Sequence, residues 1–226
     1  MKKILIQLDT DNLPSSFDRV VAVDSDVDEL FSYGGVTVEN VESLVHGAMF
    51  TRGPKDLKST AIFIGGSHVA AGEALRDKVH SIFFGPVSVS VMMDSNGSNT
   101  TAAAAVLCAR RHLELSKATA LILGGTGPVG QRAAELLARE QATVRLVSRS
   151  LERAEQACQS IASRVENAQL QACTINKTEE LESALDEVSL IIAAGAAGIR
   201  FLSKADWKDL PVLRVAIDLN AVTIGN

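Results

Sequence analysis

The stretch Leu121-Ile122-Leu123-Gly124-Gly125-Thr126-Gly127-Pro128-Val129-Gly130 decides the fold of the second half of this 226-residue chain. An apolar run ends in glycines, and a helix-like pattern follows at once. Gly125, Gly127 and Gly130 have the G-x-G-x-x-G spacing. In that motif the first glycine makes a tight turn, the second lets backbone approach a pyrophosphate, and the third lets helix pack close to strand. Unpaired N–H groups and the helix dipole then favour an anion. The stretch therefore predicts a dinucleotide-binding loop if strands flank it.

The sequence around this loop alternates between strand and helix patterns. Strands are predicted at residues 118–123, 143–147, 170–174, 190–194 and 212–219, and helices at residues 128–139, 151–165 and 179–185. Such alternation predicts a parallel sheet with helices on both faces. Residues 117–226 are therefore predicted to form a Rossmann-type, doubly wound domain whose glycine loop binds the cofactor.

The first half of the chain alternates in the same way and predicts an α/β domain at residues 1–100. Its predicted strands are residues 3–8, 48–51, 60–64 and 87–93. One helix is predicted to begin near residue 15, and two others are predicted at residues 37–46 and 67–83. Residues 20–23 fit either a helix or a strand. An alanine-rich helix at 102–115, which Ser98, Asn99 or Thr100 can cap, is predicted to bridge the domains over residues 101–116.

Composition excludes several classes of function. The net charge of −5 disfavours electrostatic binding of nucleic acid, and no apolar run approaches the length of a membrane span. The basic and then apolar N-terminus predicts a strand rather than a signal peptide, because acidic residues follow a short apolar run. The cysteines are odd in number and form no C-x-x-C, and the histidines are scattered: Cys108, Cys158, Cys173, His46, His68, His80 and His112. We therefore expect a cytoplasmic protein with no metal site.

The residues after the second Rossmann strand indicate which dinucleotide binds. An NAD site usually has an acidic residue there, about 20 residues past the glycines, to hold the ribose hydroxyls. This chain has Ser148-Arg149-Ser150. Arginine can bind a 2′-phosphate as a fork, and the two hydroxyls can add hydrogen bonds. Alternatively, Arg149 is only solvated and Ser150 only caps the next helix. We predict NADP, with NAD also possible, and Arg153 is a second candidate for the phosphate.

The nicotinamide is predicted to lie where the last two strands end, because ligands bind outside the carboxyl ends of parallel strands. Small residues follow the fourth strand of the domain, and an asparagine follows the fifth, although tight packing can also explain both. The predicted cofactor-binding residues are Gly125, Thr126, Gly127, Pro128, Val129, Gly130, Ser148, Arg149, Ser150, Ala194, Gly195, Ala196 and Asn220.

The candidate substrate site is a polar string in the first half, Asp94-Ser95-Asn96-Gly97-Ser98-Asn99-Thr100-Thr101. A turn and a helix cap use only part of this string. The excess of hydrogen-bonding groups indicates a polar heterocycle as ligand. Asp9-Thr10-Asp11 and Thr51-Arg52 end other predicted strands and add polar groups.

At these residues the chain resembles the methylene-tetrahydromethanopterin dehydrogenases of methylotrophic bacteria. The segments that carry the resemblance are residues 7–11, 33–34, 50–53, 59–63, 70–73, 83–86, 94–104 and 125–130. The resemblance implies a fold like that of the bifunctional methylene-tetrahydrofolate dehydrogenases, in which an amino-terminal catalytic domain faces a Rossmann domain across a cleft. It also implies a homo-oligomer.

The resemblance implies a reaction as well: methylene-tetrahydromethanopterin gives a hydride to NADP and becomes methenyl-tetrahydromethanopterin. No proton leaves carbon, so the protein has to align two carbons and place negative charge near a cation. The candidate catalytic residues are Asp94, Asn96 and Thr101. The candidate substrate-binding residues are Asp9, Asp11, Ser95, Ser98, Asn99 and Thr100.

Members of this family continue beyond the last Rossmann strand with a glycine-rich segment and a helix that returns to the first domain. This chain ends at Gly225-Asn226, so we expect the contacts of that tail to be absent. Two alternatives remain open: a methylene-tetrahydrofolate dehydrogenase, or an NADP-binding protein with impaired catalysis. A shikimate dehydrogenase is disfavoured because no convincing lysine–aspartate pair is found.

Overall fold

The protein contains two compact units, Met1–Asn99 and Thr100–Asn226. The computed structural model describes residues 1–222, so residues 223–226, the end of the second predicted domain, lie outside the described part. Each unit is a parallel sheet with helices packed on it, which confirms the predicted α/β class.

The first unit is a four-stranded parallel sheet in the order β2-β1-β3-β4. Its elements are β1 (Ile4–Asp9), α1 (Ser16–Asp24), β2 (Glu29–Tyr33), α2 (Glu42–Phe50), β3 (Thr60–Gly65), α3 (Val69–Ile82) and β4 (Ser90–Met93). Leu8, Ile62 and Ile64 of the central strands are fully buried under α2 and α3. The register pairs Asp9 with Gly65, so the loops after β1 and β3 leave the same edge of the sheet.

The second unit is a five-stranded parallel sheet in the order β7-β6-β5-β8-β9. Its elements are α4 (Ser98–Arg110), β5 (Thr119–Leu123), α5 (Pro128–Arg139), β6 (Thr143–Val147), α6 (Leu151–Ala162), β7 (Gln169–Cys173), α7 (Thr178–Leu185), β8 (Leu190–Ala193), α8 (Lys204–Trp207) and β9 (Val215–Asp218). The strand order reverses at β5, between β6 and β8. This switch point is where open parallel sheets bind their ligands. The unit therefore has the predicted Rossmann topology.

Burial on both faces explains the continuous apolar run before the glycines. Leu121 and Leu123 face one hydrophobic cluster, whereas Ala120 and Ile122 face another. All four residues are at most 1% exposed. A central parallel strand has no wet face, so its sequence shows no polar alternation. Helix α4 begins at the end of the first unit, and its alanines pack in the same cluster as Ala120 and Ile122.

Two predictions in the first unit were wrong. The predicted helix at 37–46 begins at Glu42 and continues through Gly47 to Phe50, so the predicted strand at 48–51 does not form. The apolar residues there follow helical spacing, with Val45, Ala48 and Met49 buried. Strand β2 was missed, because it is a short edge strand that leaves Phe31 exposed. Residues 20–23, which fit two patterns, belong to α1.

Several boundaries also differ from the prediction. Helix α4 runs from Ser98 to Arg110 instead of 102–115, and the Asp94 carboxylate accepts the N–H of Asn99 in its first turn at 2.8 Å. Strands β4 and β9 begin about three residues later than predicted. Helix α8, of four residues, was missed. In contrast, α5 and β6 have the predicted bounds.

Residues 1–222 contain neither a metal-binding cluster nor a membrane-spanning helix. In residues 1–222 no group of His, Cys, Asp or Glu side chains could hold a metal ion. No helix in this part of the chain is long and apolar enough to cross a membrane.

Candidate functional site

The glycine loop lies at the switch point of the second sheet, directly after β5. Gly124 has a φ of +73°, and a Cβ there would lie 2.9 Å from Cα of Gly195, which follows β8. The residue with the left-handed conformation is therefore Gly124, one position before the first glycine of the motif spacing. The N–H of Gly125 donates to the carbonyl of Val147 at 2.9 Å and fixes the loop against the end of β6.

The two later glycines bring the start of α5 against this turn. Gly127 is the N-cap residue and Pro128 occupies the first turn. A Cβ on Gly130 would lie 2.6 Å from the Gly124 carbonyl oxygen and 2.9 Å from Cα of Gly125. A side chain there would push the helix off the loop, so helix and turn need this glycine. The first-turn N–H groups of a helix have no intrahelical acceptor and can receive an anion. The loop therefore fits a pyrophosphate.

Residues 148–150, which are predicted to select NADP over NAD, follow β6 and lie next to the glycine loop. The hydroxyls of Thr126 and Ser148 lie 3.4 Å apart, which joins the glycine loop to the end of β6. Ser150 caps α6 by accepting the N–H of Arg153 at 3.4 Å, so its helix-capping role is real. Arg149 is exposed, and its guanidinium forms no ion pair with residues 1–222. The structure thus places a cation with no acidic partner beside two hydroxyls.

The predicted nicotinamide side is formed by the ends of β8 and β9. The N–H of Ala194 donates to the carbonyl of Leu123 at 2.8 Å, which holds the β8 end against the β5 end. Asn220 is 2% exposed, and its side-chain Nδ2 donates to the Ile199 carbonyl at 3.1 Å. Its Oδ1 is buried and has no hydrogen-bond partner in the described residues. Ala196 lies in an exposed part of the same segment.

In the first unit, the two predicted aspartates after β1 hold loops together. Asp9 is 1% exposed and accepts the N–H groups of Asp11 at 2.9 Å and Ser15 at 3.1 Å. Asp11 accepts the N–H of Ser67 at 3.0 Å and its hydroxyl at 2.9 Å. Both carboxylates therefore support the carboxyl edge of the sheet, and their roles as substrate ligands stay predictions.

The polar string divides into residues that the fold uses and residues that face outward. Ser95 donates to the Gly65 carbonyl at 3.2 Å and Ser98 to the Ser95 carbonyl at 2.9 Å, and both serines are fully buried. The amide of Asn99 donates to the Met93 carbonyl at 2.7 Å. In contrast, the side chain of Asn96 is exposed and makes no hydrogen bond with residues 1–222.

Asn96 also has an unusual backbone, with a φ of +56°. Its N–H donates to the Gly66 carbonyl at 2.8 Å, so the turn after β4 is tied to the turn after β3. A non-glycine residue held in this region costs free energy, and such residues concentrate at functional sites. Thr101 is half-buried near the start of α4, and Thr100 is exposed. The Asn96 side chain is therefore exposed and has no hydrogen bond with residues 1–222, so it can meet a ligand.

The structure adds Asp18, which the sequence analysis missed. A Cβ on Gly65 would lie 3.1 Å from an Asp9 carboxylate oxygen and 3.3 Å from one of Asp18, so the two carboxylates flank one glycine. Burial raises the pKa of Asp18, and the charges of Asp9 and Asp94 raise it further, against a hydrogen bond from Ser15. Its position in the first turn of the helix after β1 was the available sequence signal.

The fold and the loop together define a class: a two-unit α/β protein whose second unit has the Rossmann topology and a glycine loop. Comparisons with known proteins then give the family. Residues 16–96 match the family model "Methylene-tetrahydromethanopterin dehydrogenase, N-terminal". Residues 120–198 match the model "Saccharopine dehydrogenase NADP binding domain".

Two relatives from Methylorubrum extorquens align with most of the chain. The bifunctional protein MdtA is 43% identical over 222 residues, which cover 97% of this chain and 77% of the relative. An NAD(P)-dependent methylenetetrahydromethanopterin dehydrogenase is 33% identical over 217 residues, which cover 92% of this chain and 72% of the relative. The chain belongs to the methylene-tetrahydromethanopterin dehydrogenase family. Among solved structures, the D-lactate dehydrogenase from Escherichia coli is 11% identical, with a TM-score of 0.39 over 95% of this chain and 74% of that one.

Proposed function

We propose that this protein oxidises methylene-tetrahydromethanopterin to methenyl-tetrahydromethanopterin by hydride transfer to NADP. The observation that carries the proposal is the 33% identity, over 92% of the chain, to a relative named for this reaction with NAD(P). The methylene carbon lies between two nitrogens, whose lone pairs expel the hydride and leave a resonance-stabilised cation. Such chemistry requires alignment and a favourable field more than a strong base.

The cofactor residues of the proposal lie in the second unit. When bound, NADP supplies the carbon that takes up the hydride. Residues 124–130 would hold the pyrophosphate through the loop and the start of α5. Arg149, with Ser148 and Ser150, would bind the 2′-phosphate. What supports this role is that the guanidinium has no acidic partner in residues 1–222, so it can pair with a phosphate. NAD lacks that phosphate and would bind more weakly.

We assign the pterin to the first unit, at the edge where β1, β3 and β4 end. Asp94, Asn96 and Thr101 are the proposed catalytic residues, and Asp9, Asp11, Ser95, Ser98, Asn99 and Thr100 the proposed substrate residues. The side chains of Ser95, Ser98 and Asn99 donate to backbone carbonyls. Their proposed part is therefore to hold the turn that presents Asn96 to the substrate. Negative charge on Asp9 and Asp94 would stabilise the cation, and Asp18 lies beside Asp9.

We also infer that the protein works in the cytoplasm as a homo-oligomer. Three free cysteines support a reducing compartment. The oligomer rests on the family resemblance alone.

The test is formation of NADPH by the purified full chain. We expect turnover with methylene-tetrahydromethanopterin and NADP, slower turnover with NAD, and much slower turnover with methylene-tetrahydrofolate. Asn96→Ala should raise KM for the pterin about tenfold or more, since it removes hydrogen bonds to a polar ligand, and leave the Kd for NADP unchanged. NADP binding without turnover of either pterin would favour the impaired NADP-binding alternative. Faster turnover with the folate would reassign the carrier.

A further inference from the structure

Asn220 carries a buried acceptor that residues 1–222 leave without a donor. The residue follows β9 and is 2% exposed, and its Oδ1 has no hydrogen-bond partner in residues 1–222. Buried polar atoms in folded proteins are nearly always paired, and an exception needs an explanation. A ligand group that completes the pairing is one such explanation.

The rest of Asn220 is held firmly, which fixes the direction of this acceptor. Its N–H donates to Oδ1 of Asp218 at 2.8 Å, and its backbone carbonyl accepts the N–H of Gly198 at 2.7 Å. Its Nδ2 donates to the Ile199 carbonyl at 3.1 Å. Because a carbonyl can only receive a donor, the side-chain amide cannot be turned over, and Oδ1 is the free end.

The position of Asn220 in the sheet indicates which part of a dinucleotide would meet it. Nδ2 of Asn220 lies 3.5 Å from the Cβ position of Gly195, and that glycine touches Gly124 of the glycine loop. The order β6-β5-β8-β9 puts Arg149 on one side of the loop and Asn220 on the other. If the 2′-phosphate end binds near Arg149, the pyrophosphate crosses at the loop, and the nicotinamide half reaches the β8 and β9 ends.

We propose that Oδ1 of Asn220 accepts a hydrogen bond from the carboxamide NH2 of the nicotinamide ring. This inference rests on the proposed binding of NADP. The carboxamide offers N–H donors, which match an acceptor that has no partner among the described residues 1–222. The segment over Asn220 includes Gly195 and Gly198, the latter with a φ of +77° and a Cβ position whose nearest neighbour is 3.9 Å away. Residues 195–199, which include the bonding partners Gly198 and Ile199 of Asn220, are exposed.

Calorimetric titration of the full chain with NADP and with its 3-acetylpyridine analogue tests the proposal. In the analogue a methyl group replaces the NH2, and the carbonyl oxygen stays. The native chain should bind NADP about tenfold more tightly than the analogue, the effect of one hydrogen bond to a buried acceptor. In Asn220→Ala this preference should disappear, so that NADP and the analogue bind with about equal affinity. Asn220→Leu keeps the size of the side chain but has no acceptor, and it should lose the preference as well.

The controls separate this inference from the proposed function. Asn176→Ala changes an exposed amide after β7, far along the strand order from β9, and should keep the tenfold preference. NADP binding with equal affinity for the analogue in the native chain would overturn this inference alone. So would a preserved preference in Asn220→Ala or in Asn220→Leu. If Asn220→Ala does not fold, the native chain and Asn220→Leu still decide. A native chain that binds neither dinucleotide would overturn the proposed function together with this inference.

Discussion

At the scale of single residues, Gly130 shows how tightly α5 is packed against the turn before it. Its hydrogen points at backbone atoms of Gly124 and Gly125, which cannot move aside as a flexible side chain can. Gly47 in α2 is the opposite case, because a Cβ there would meet nothing within 4 Å. The two glycines therefore make a matched pair for substitution.

Gly130→Ala should weaken the NADP site, and Gly47→Ala should not. Overpacking at Gly130 should destabilise the chain by about 1–3 kcal/mol and raise the Kd for NADP at least tenfold. Alanine at Gly47, inside a helix, should stabilise the chain by about 0.5–1 kcal/mol without changing that Kd. Thermal melts and calorimetric titration measure both effects. A Gly130→Ala protein with native Tm and Kd would contradict the account of the loop.

Arg149 should determine the preference for NADP over NAD. A charge-assisted contact to phosphate contributes about 1.5–3 kcal/mol, so Arg149→Ala should lower kcat/KM for NADP about 10- to 100-fold. The value for NAD should stay within about twofold, since NAD has no 2′-phosphate. Arg153→Ala, one turn into α6, is the control and should have a smaller effect. If Arg149→Ala slows both cofactors equally, the arginine acts on the fold instead of the phosphate.

Asp18 should reduce stability as pH rises. Burial and the charges of Asp9 and Asp94 raise its pKa above the value in the unfolded chain. The unfolded chain therefore loses this proton at a lower pH than the native chain, and stability falls as pH rises between the two pKa values. Asp18→Asn should raise Tm by on the order of a few degrees at neutral pH. The difference should shrink as pH falls below the pKa of a free aspartate. Thermal melts across pH show the sign, and a variant that melts lower than the native chain at neutral pH would contradict it.

At the scale of elements, the predictions were best where local signals agree. The proline at the start of α5 and the glycines before it predicted the helix at Pro128–Arg139 with its correct bounds. The next apolar run predicted β6 correctly. The predicted end of α2 was wrong because Gly47 was interpreted as a helix terminator, whereas it lies inside the helix, where a Cβ would meet nothing within 4 Å. Among residues 1–222, strand β2 pairs only with β1, and it leaves apolar side chains exposed, so its formation depends on tertiary pairing.

The same reasoning applies to the candidate site. The motif spacing located the glycine loop, and the sequence after β6 placed Ser148 near it. The sequence could not show that the side chains of Ser95, Ser98 and Asn99 donate to backbone carbonyls. Nor could it show that Asp18 reaches Asp9, because that approach depends on how α1 packs beside β3.

A cluster of charges joins α5 to Arg164, just after the end of α6, and its contribution to stability should depend on pH. The Glu135 side chain is 12% exposed and lies 2.8 Å from Arg139 and 3.1 Å from Arg164. Burial opposes ionisation of Glu135, but the arginines outweigh it and lower the pKa. This stabilisation is therefore present above the pKa of a free glutamate and is lost as pH falls through the lowered pKa.

Glu135→Gln should destabilise the chain by about 1–3 kcal/mol at neutral pH, since it removes the charge that pairs with Arg139 and Arg164. The loss should diminish in acid. Glu140→Gln is the control: its contact with Arg110 is 3.8 Å long and exposed, so its effect should stay below about 0.5 kcal/mol. Urea unfolding measures both. Equal effects of the two substitutions would show that burial of the Glu135 cluster does not matter.

At the scale of the whole molecule, each of the two parallel sheets is proposed to bind a different ligand. The unit with the switch point would hold the dinucleotide, and the unit whose polar turns follow β1, β3 and β4 would hold the pterin. The similarity to relatives that extends over most of the chain supports a single reaction in which both units take part. The central claim is therefore direct transfer of a hydride from one ligand to the other.

Transfer of deuterium tests that claim most directly. Methylene-tetrahydromethanopterin with two deuterium atoms on the methylene carbon is incubated with NADP and the full chain in ordinary water, and the reduced cofactor is examined by mass spectrometry. The account predicts one deuterium atom in every molecule of NADPH formed, since a hydride that moves directly between carbons does not exchange with solvent. NADPH without deuterium, or deuterium released into water, would contradict it.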